Sequence, residues 1–130
     1  MRNRGALVGA VLAIVVGAGV VSAGIKASGE VMINMTYHYA YGVLGSARNS
    51  SDTVQQLVCN VYHQAGYEYA QCWAADRNGV YASCYTNDAG YISRIAGLNG
   101  DGYLRFDWDV NGYCSYMIVG MSSYGEPKKP

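Results

Sequence analysis

Two copies of one turn, set among four cysteines, limit what this chain can fold into more than any other feature. The turns read Asp76-Arg77-Asn78-Gly79 and Asp109-Val110-Asn111-Gly112, and the cysteines are Cys59, Cys72, Cys84 and Cys114. Asp first and Gly last are the preferred ends of a type I turn, and a left-handed glycine closes a three-residue hairpin loop. The stretch from Leu57 to Ile118 therefore reads as hairpins whose register follows from loop length. A three-residue loop pairs Asp76 with Val80 and sets Cys72 directly opposite Cys84. A two-residue loop of Asn78-Gly79 would put these cysteines on opposite faces, because a one-residue slip turns every side chain over. At the second turn the same loop sets Trp108 against Cys114, Phe106 against Tyr116 and Leu104 against Ile118, with Arg105, Asp107 and Asp109 on the other face. Turn type and hydrophobic pattern choose the same register.

The chain opens as an export signal does. Arg2 and Arg4 precede an apolar run with no charge from Gly5 to Ile25, and Val21-Ser22-Ala23 supplies small residues for cleavage. Residues 1–23 are expected to be removed, so that the mature chain begins at Gly24. The competing reading is an uncleaved membrane helix, weakened by five glycines from Gly5 to Gly24. Of nine Lys/Arg and nine Asp/Glu, losing Arg2 and Arg4 leaves seven against nine, a net charge of −2. That balance, with lysines confined to Lys26, Lys128 and Lys129, argues against a nucleic-acid partner, which needs a clustered basic surface.

Four cysteines in an exported chain favour two disulfides. No Cys-x-x-Cys pair occurs and only His38 and His63 offer imidazole, so a zinc site is the weaker reading. Of three connectivities, the register favours Cys72–Cys84, leaving Cys59–Cys114 to join the first cysteine-bearing strand to the last hairpin.

The remaining elements follow in order. Residues 24–43 form a lead-in and a strand over Val31–Tyr41, with Val31, Ile33, Met35, Tyr37, Tyr39 and Tyr41 on one face. Residues 44–124 form the disulfide-stapled domain and 125–130 a polar tail. Gly42 to Asp52 is a structured loop rich in Ser and Asn. Strands are expected over Thr53–His63, Glu68–Ala75, Val80–Tyr85, Gly102–Asp109 and Tyr113–Ser122. A short helix is expected over Ala89–Ala96, capped by Asn87 or Asp88, packing through Ile92, Ile95 and Ala96 and ended by Gly97 or Gly100. The fold class is mainly β, a small antiparallel sheet or sandwich of five to six strands with one short helix.

The blocks "LGSARNSSD" at 44–52 and "LRFDWDVNGYCSYMIVGMSSY" at 104–124, with the cysteines between them, resemble the opening and closing segments of a set of small exported bacterial proteins. The resemblance implies export and a common fold over residues 44–124, and it carries no activity.

Catalytic patterns are weak. Only His38 and His63 offer a base for a serine nucleophile, and no Gly-x-Ser-x-Gly elbow exists. Asp107 and Asp109 share a strand face, yet Arg105 can neutralise the first and the turn employs the second. Asp101 with these two lacks the EF-hand loop pattern for calcium. No cofactor and no metal are expected.

The aromatic composition says more. Thirteen tyrosines and two tryptophans stand against one phenylalanine, which suits surfaces wet on one side and apolar on the other. A cysteine-side core buries Leu57, Cys59, Val61, Ala70, Cys72, Ala74, Ala82 and Cys84. The opposite face then carries Asn60, Tyr62, Tyr69, Gln71, Trp73, Tyr81, Ser83 and Tyr85, the expected ligand-binding residues. The leading reading is a secreted, non-enzymatic binding or surface module for a glycan or a protein. One alternative is a self-assembling exported protein, in which the strand Val31–Tyr41 adds to a neighbouring copy. Another is a small hydrolase or enzyme inhibitor, for which no site is found. The bland alternative for the aromatic face is that the helix or the first strand covers it.

Overall fold

A computed structural model describes residues 29–123, 125 and 127–130. The expected signal segment, residues 1–23, lies outside them. Among the described residues no helix is long and apolar enough to cross a membrane.

Among the described residues seven strands form two antiparallel sheets. The elements are β1 (Met32–Asn34), β2 (Tyr39–Val43), α1 (Leu44–Asn49), β3 (Gln56–Gln64), β4 (Tyr67–Ala75), β5 (Tyr81–Thr86), α2 (Ala89–Ala96), β6 (Tyr103–Trp108) and β7 (Cys114–Gly120). One sheet runs β1-β2-β6-β7 and the other β3-β4-β5. The sheets meet at a seam where Tyr85 pairs in parallel with Tyr113 and the Tyr85 amide donates to the Gly112 carbonyl. Beside this seam Cys84 is bonded to Cys114.

The core is made of small residues on one side and larger ones on the other. Ala70, Cys72, Ala74, Ala82 and Cys84 line the inner face of the three-stranded sheet. Short side chains there let α2 and the second sheet approach, and Ile92, Ile95, Leu104, Phe106 and Met117 fill the space. Phe106, the single phenylalanine, is fully buried, whereas no described tyrosine is. A phenol needs a partner for its hydroxyl and a phenyl ring does not. Full burial of a side chain of this kind contributes roughly 1.5–3 kcal/mol.

Both Asp-x-Asn-Gly turns close three-residue loops as expected. Asp76 donates to the Val80 carbonyl, Asp109 to the Tyr113 carbonyl, and Gly79 and Gly112 hold φ of 79° and 81°. Cys72 accordingly lies opposite Cys84, but it also lies opposite Cys59. The bond goes to Cys59, so the expected pairs Cys72–Cys84 and Cys59–Cys114 are replaced by Cys59–Cys72 and Cys84–Cys114. The ladder explains the choice. Opposed residues alternate between hydrogen-bonded pairs and closer, non-hydrogen-bonded ones. Counting from the bonded Asp76/Val80 pair makes Cys72/Cys84 a wide pair, which leaves Cys59/Cys72 narrow, with Cα atoms 4.0 Å apart. Cys84 is then free to point across the core to Cys114.

The second hairpin keeps Trp108 opposite Cys114 and then shifts. A bulge between Asp107 and Trp108 sets Asp107 against Tyr116, Phe106 against Met117 and Leu104 against Val119. The expected pairs Phe106/Tyr116 and Leu104/Ile118 are therefore off by one. Ser115 is the extra residue, and its carbonyl accepts the Tyr91 hydroxyl of α2 at 2.9 Å. The shift turns Tyr116 and Ile118 outward, beside Asp107 and Arg105.

Three further expectations are corrected. Val31–Tyr41 is not one strand. The Asn34 side chain accepts the Thr36 and Tyr37 amides, His38 takes φ 54°, and the chain reverses into β2, which pairs with β6. Tyr39 and Tyr41 thus lie on the opposite face from Ile33, which pairs with Ala40. The Ser-rich loop contains α1, whose Gly45, Ser46 and Ala47 are buried. In α2, Asp88 is the cap, Ile92 and Ile95 are buried and Gly97 closes the helix, but Ala96 is exposed.

Candidate functional site

The outer face of the three-stranded sheet is the most distinctive surface. Strand alternation puts Leu57 and Cys59 on the inner side with Cys72 and Cys84, and therefore Asn60, Tyr62, Tyr69, Gln71, Trp73, Tyr81, Ser83 and Tyr85 together on the outer side. Two residues depart from the expected core: Cys59 is only partly buried against it, and Val61 is exposed because the far end of the β3–β4 hairpin projects beyond it. Both helices contact β3, yet α2 buries Ile92 and Ile95 in the core beneath the sheet rather than covering the outer side. The first strands belong to the other sheet.

Tyrosines on this face form a continuous array. Tyr62 and Tyr69 stack with centroids 4.8 Å apart, and Tyr69 lies 5.5 Å from Tyr85. Tyr67 adds to it at 5.6 Å from Tyr69, and Tyr113 meets Tyr85 edge-on at 5.7 Å. The phenols of Tyr67 and Tyr85 are hydrogen-bonded, and the Asn60 amide donates to the Tyr62 hydroxyl. Stacked rings standing on a sheet turn their edges and hydroxyls outward. Trp73 and Tyr81 sit toward the other end and contact no other ring among the described residues. Trp73 shares its row with Val58 and Ser83 and is partly covered by them.

Sequence reasoning missed Tyr67 and Tyr113. The signal for Tyr67 was present in Ala65-Gly66, a two-residue loop with Gly66 at φ 78° that starts β4 one residue early. Tyr113 comes from the other sheet, across the seam, and no local pattern announces it.

The charge on this face is as informative as its rings. Every outward position of β3, β4 and β5 is neutral, with amides at Gln56, Asn60, Gln64 and Gln71. The other sheet differs. There Arg105 donates twice to Asp107, at 2.8 and 2.9 Å, and its guanidinium lies 4.7 Å from the Tyr39 ring centre and 5.6 Å from that of Tyr116. The hydrogen bond to Asp107 pushes the Arg105 pKa up, and burial raises that of Tyr103 beside it. This ion pair is saturated by its own partners.

The groups weighed for catalysis stand apart. His38 stacks on Trp108, and His63 is exposed, 3.9 Å from Glu68. Asp109 accepts the Asn111 and Tyr113 amides within its turn. Among the described residues no cluster of three or more His, Cys, Asp or Glu is placed to hold a metal. Compared with known proteins, the chain matches no family model, no curated protein and no solved structure.

Proposed function

We propose that this domain is an exported, non-enzymatic recognition module that holds a neutral glycan on the outer face of β3-β4-β5. The absence of charge from every outward position of those strands, on a surface otherwise built of phenols, amides and an indole, carries this reading. A neutral polysaccharide presents hydroxyls and weakly apolar ring faces and no charge. Amides and phenol edges match the hydroxyls, and the unstacked Trp73 and Tyr81 rings offer apolar faces. The centre of a protein interface is also aromatic and poor in charge, so binding to polysaccharide is what separates a glycan face from a protein-binding one. Two disulfides suit an oxidising compartment, in keeping with export.

Retention on insoluble neutral polysaccharides, compared with acidic and basic ones, tests the reading. Wild-type protein is expected to be retained on a neutral polymer. Trp73→Ala and Tyr81→Ala should each weaken retention about tenfold, the scale of losing roughly 1.4 kcal/mol at an aromatic anchor. Tyr81→Ala should change melting little, since that ring is mostly exposed, whereas Trp73→Ala should lower it moderately, since its ring is partly covered. Retention only on charged polymers, or retention indifferent to both substitutions, would count against a glycan face.

A further inference from the structure

Tyr67 and Tyr85 are held head to head in a way that the ladder alone does not require. Tyr85 pairs with Gln71, so Tyr67 reaches diagonally past Tyr69 to make its phenol–phenol hydrogen bond. The Tyr69 ring packs against both, 5.6 Å from one and 5.5 Å from the other. The ring carbons ortho to each hydroxyl flank this contact. Tyr67 is 45 % exposed, and no free cysteine is present to quench an oxidant.

We propose that Tyr67 and Tyr85 are an oxidative coupling site, joined as dityrosine by a haem peroxidase using hydrogen peroxide. Each phenol gives up one electron and its hydroxyl proton. The hydrogen bond supplies a nearby oxygen through which a proton can leave. The two phenoxyl radicals form one carbon–carbon bond between ortho positions, and each ortho hydrogen then moves to its oxygen, restoring both phenols. The net change is loss of two hydrogens from the protein and conversion of one peroxide into two waters. The stack from Tyr62 through Tyr69 to Tyr85 and Tyr113 lets a radical formed on a neighbouring ring exchange onto this pair. The product closes the β4–β5 hairpin covalently at the end away from the Asp76–Gly79 turn. This site shares a face with the proposed glycan surface but does not depend on any ligand binding there.

The test is peptide mapping after brief treatment of the exported protein with a haem peroxidase and limiting peroxide. Trypsin cuts after Arg77, so Tyr67 and Tyr85 fall on separate peptides once the disulfides are reduced. The expected product is one joined pair, residues 49–77 with 78–94, two hydrogens lighter than the sum of its parts. Fragmentation should place the link at Tyr67 and Tyr85. Tyr67→Phe and Tyr85→Phe should each abolish it, and Tyr81→Phe should leave it. A link located at Tyr62 or Tyr69, a joined species that persists in Tyr67→Phe, coupling found only between molecules, or no joined peptide would each overturn the proposal. Fragmentation of the wild-type product decides the matter even if a phenylalanine variant folds poorly.

Discussion

A single buried amide ties the start of the described chain to its middle. Gln55 accepts the Val31 amide through Oε1 at 2.9 Å and donates through Nε2 to Asp52 at 2.7 Å. Asp52 also accepts the Val54 and Gln55 amides. The Gln55 side chain, then these backbone donors, hold the Asp52 carboxyl at about 2, below its ordinary 3.8. A carboxyl whose folded pKa is depressed stabilises the fold above its unfolded value and loses that contribution as pH falls through the folded one. Stability should therefore decline from about pH 3.8 toward about pH 2. Denaturant midpoints across this window should fall more steeply for wild type than for Asp52→Asn. Gln55→Ala strands the buried Val31 amide and should cost about 1–3 kcal/mol, read from the same unfolding curves.

At the scale of elements, what could be read in advance was what local chemistry decides. The helix α2 was legible because Asp88 caps it, Ile92 and Ile95 share a face, and Gly97 stops it. Asp88 accepts the Gly90 and Tyr91 amides, so Asp88→Ala should cost about 1 kcal/mol by thermal melting. The loop-closing glycines made both Asp-x-Asn-Gly hairpins legible for the same reason. The reversal at Asn34 was not, because no glycine or proline marks it and a side-chain turn with a left-handed histidine performs it. The bulge at Ser115 was hidden too. Alternation on β7 pointed to the unbulged register, with Tyr116 and Ile118 on the side of Cys114, and the Tyr91 hydroxyl that satisfies the extra carbonyl comes from a distant element. The outer-face residues were legible since alternation alone sorts a meander into two sides. Their assembly into one stacked array with Tyr113 was not, because the seam between sheets is a tertiary contact.

For the whole molecule, the two disulfides have unequal work. Both were expected to exist, but their pairing depends on ladder geometry and on which strand meets the seam, neither of which spacing reveals. Loop entropy assigns roughly 3 kcal/mol to a link of the Cys59–Cys72 separation, 13, and roughly 3.6 kcal/mol to one of the Cys84–Cys114 separation, 30. These values understate the contrast. Cys59–Cys72 bridges neighbouring strands that a two-residue loop already holds in register. Cys84–Cys114 bridges separate sheets whose only ladder contact in the described residues is the single Tyr85/Tyr113 bridge. Replacing Cys59 and Cys72 together by Ala should leave a cooperative transition, lowered by no more than about 3 kcal/mol. Replacing Cys84 and Cys114 should lower stability more and broaden the transition as the sheets lose their registration, with tryptophan emission, read in a Trp73→Phe background so that it reports Trp108, shifting before β-sheet circular dichroism is lost. Equal losses for the two pairs, or a larger loss for the hairpin pair, would show that the seam is held by packing of Phe106, Ile92 and Ile95 rather than by its covalent link.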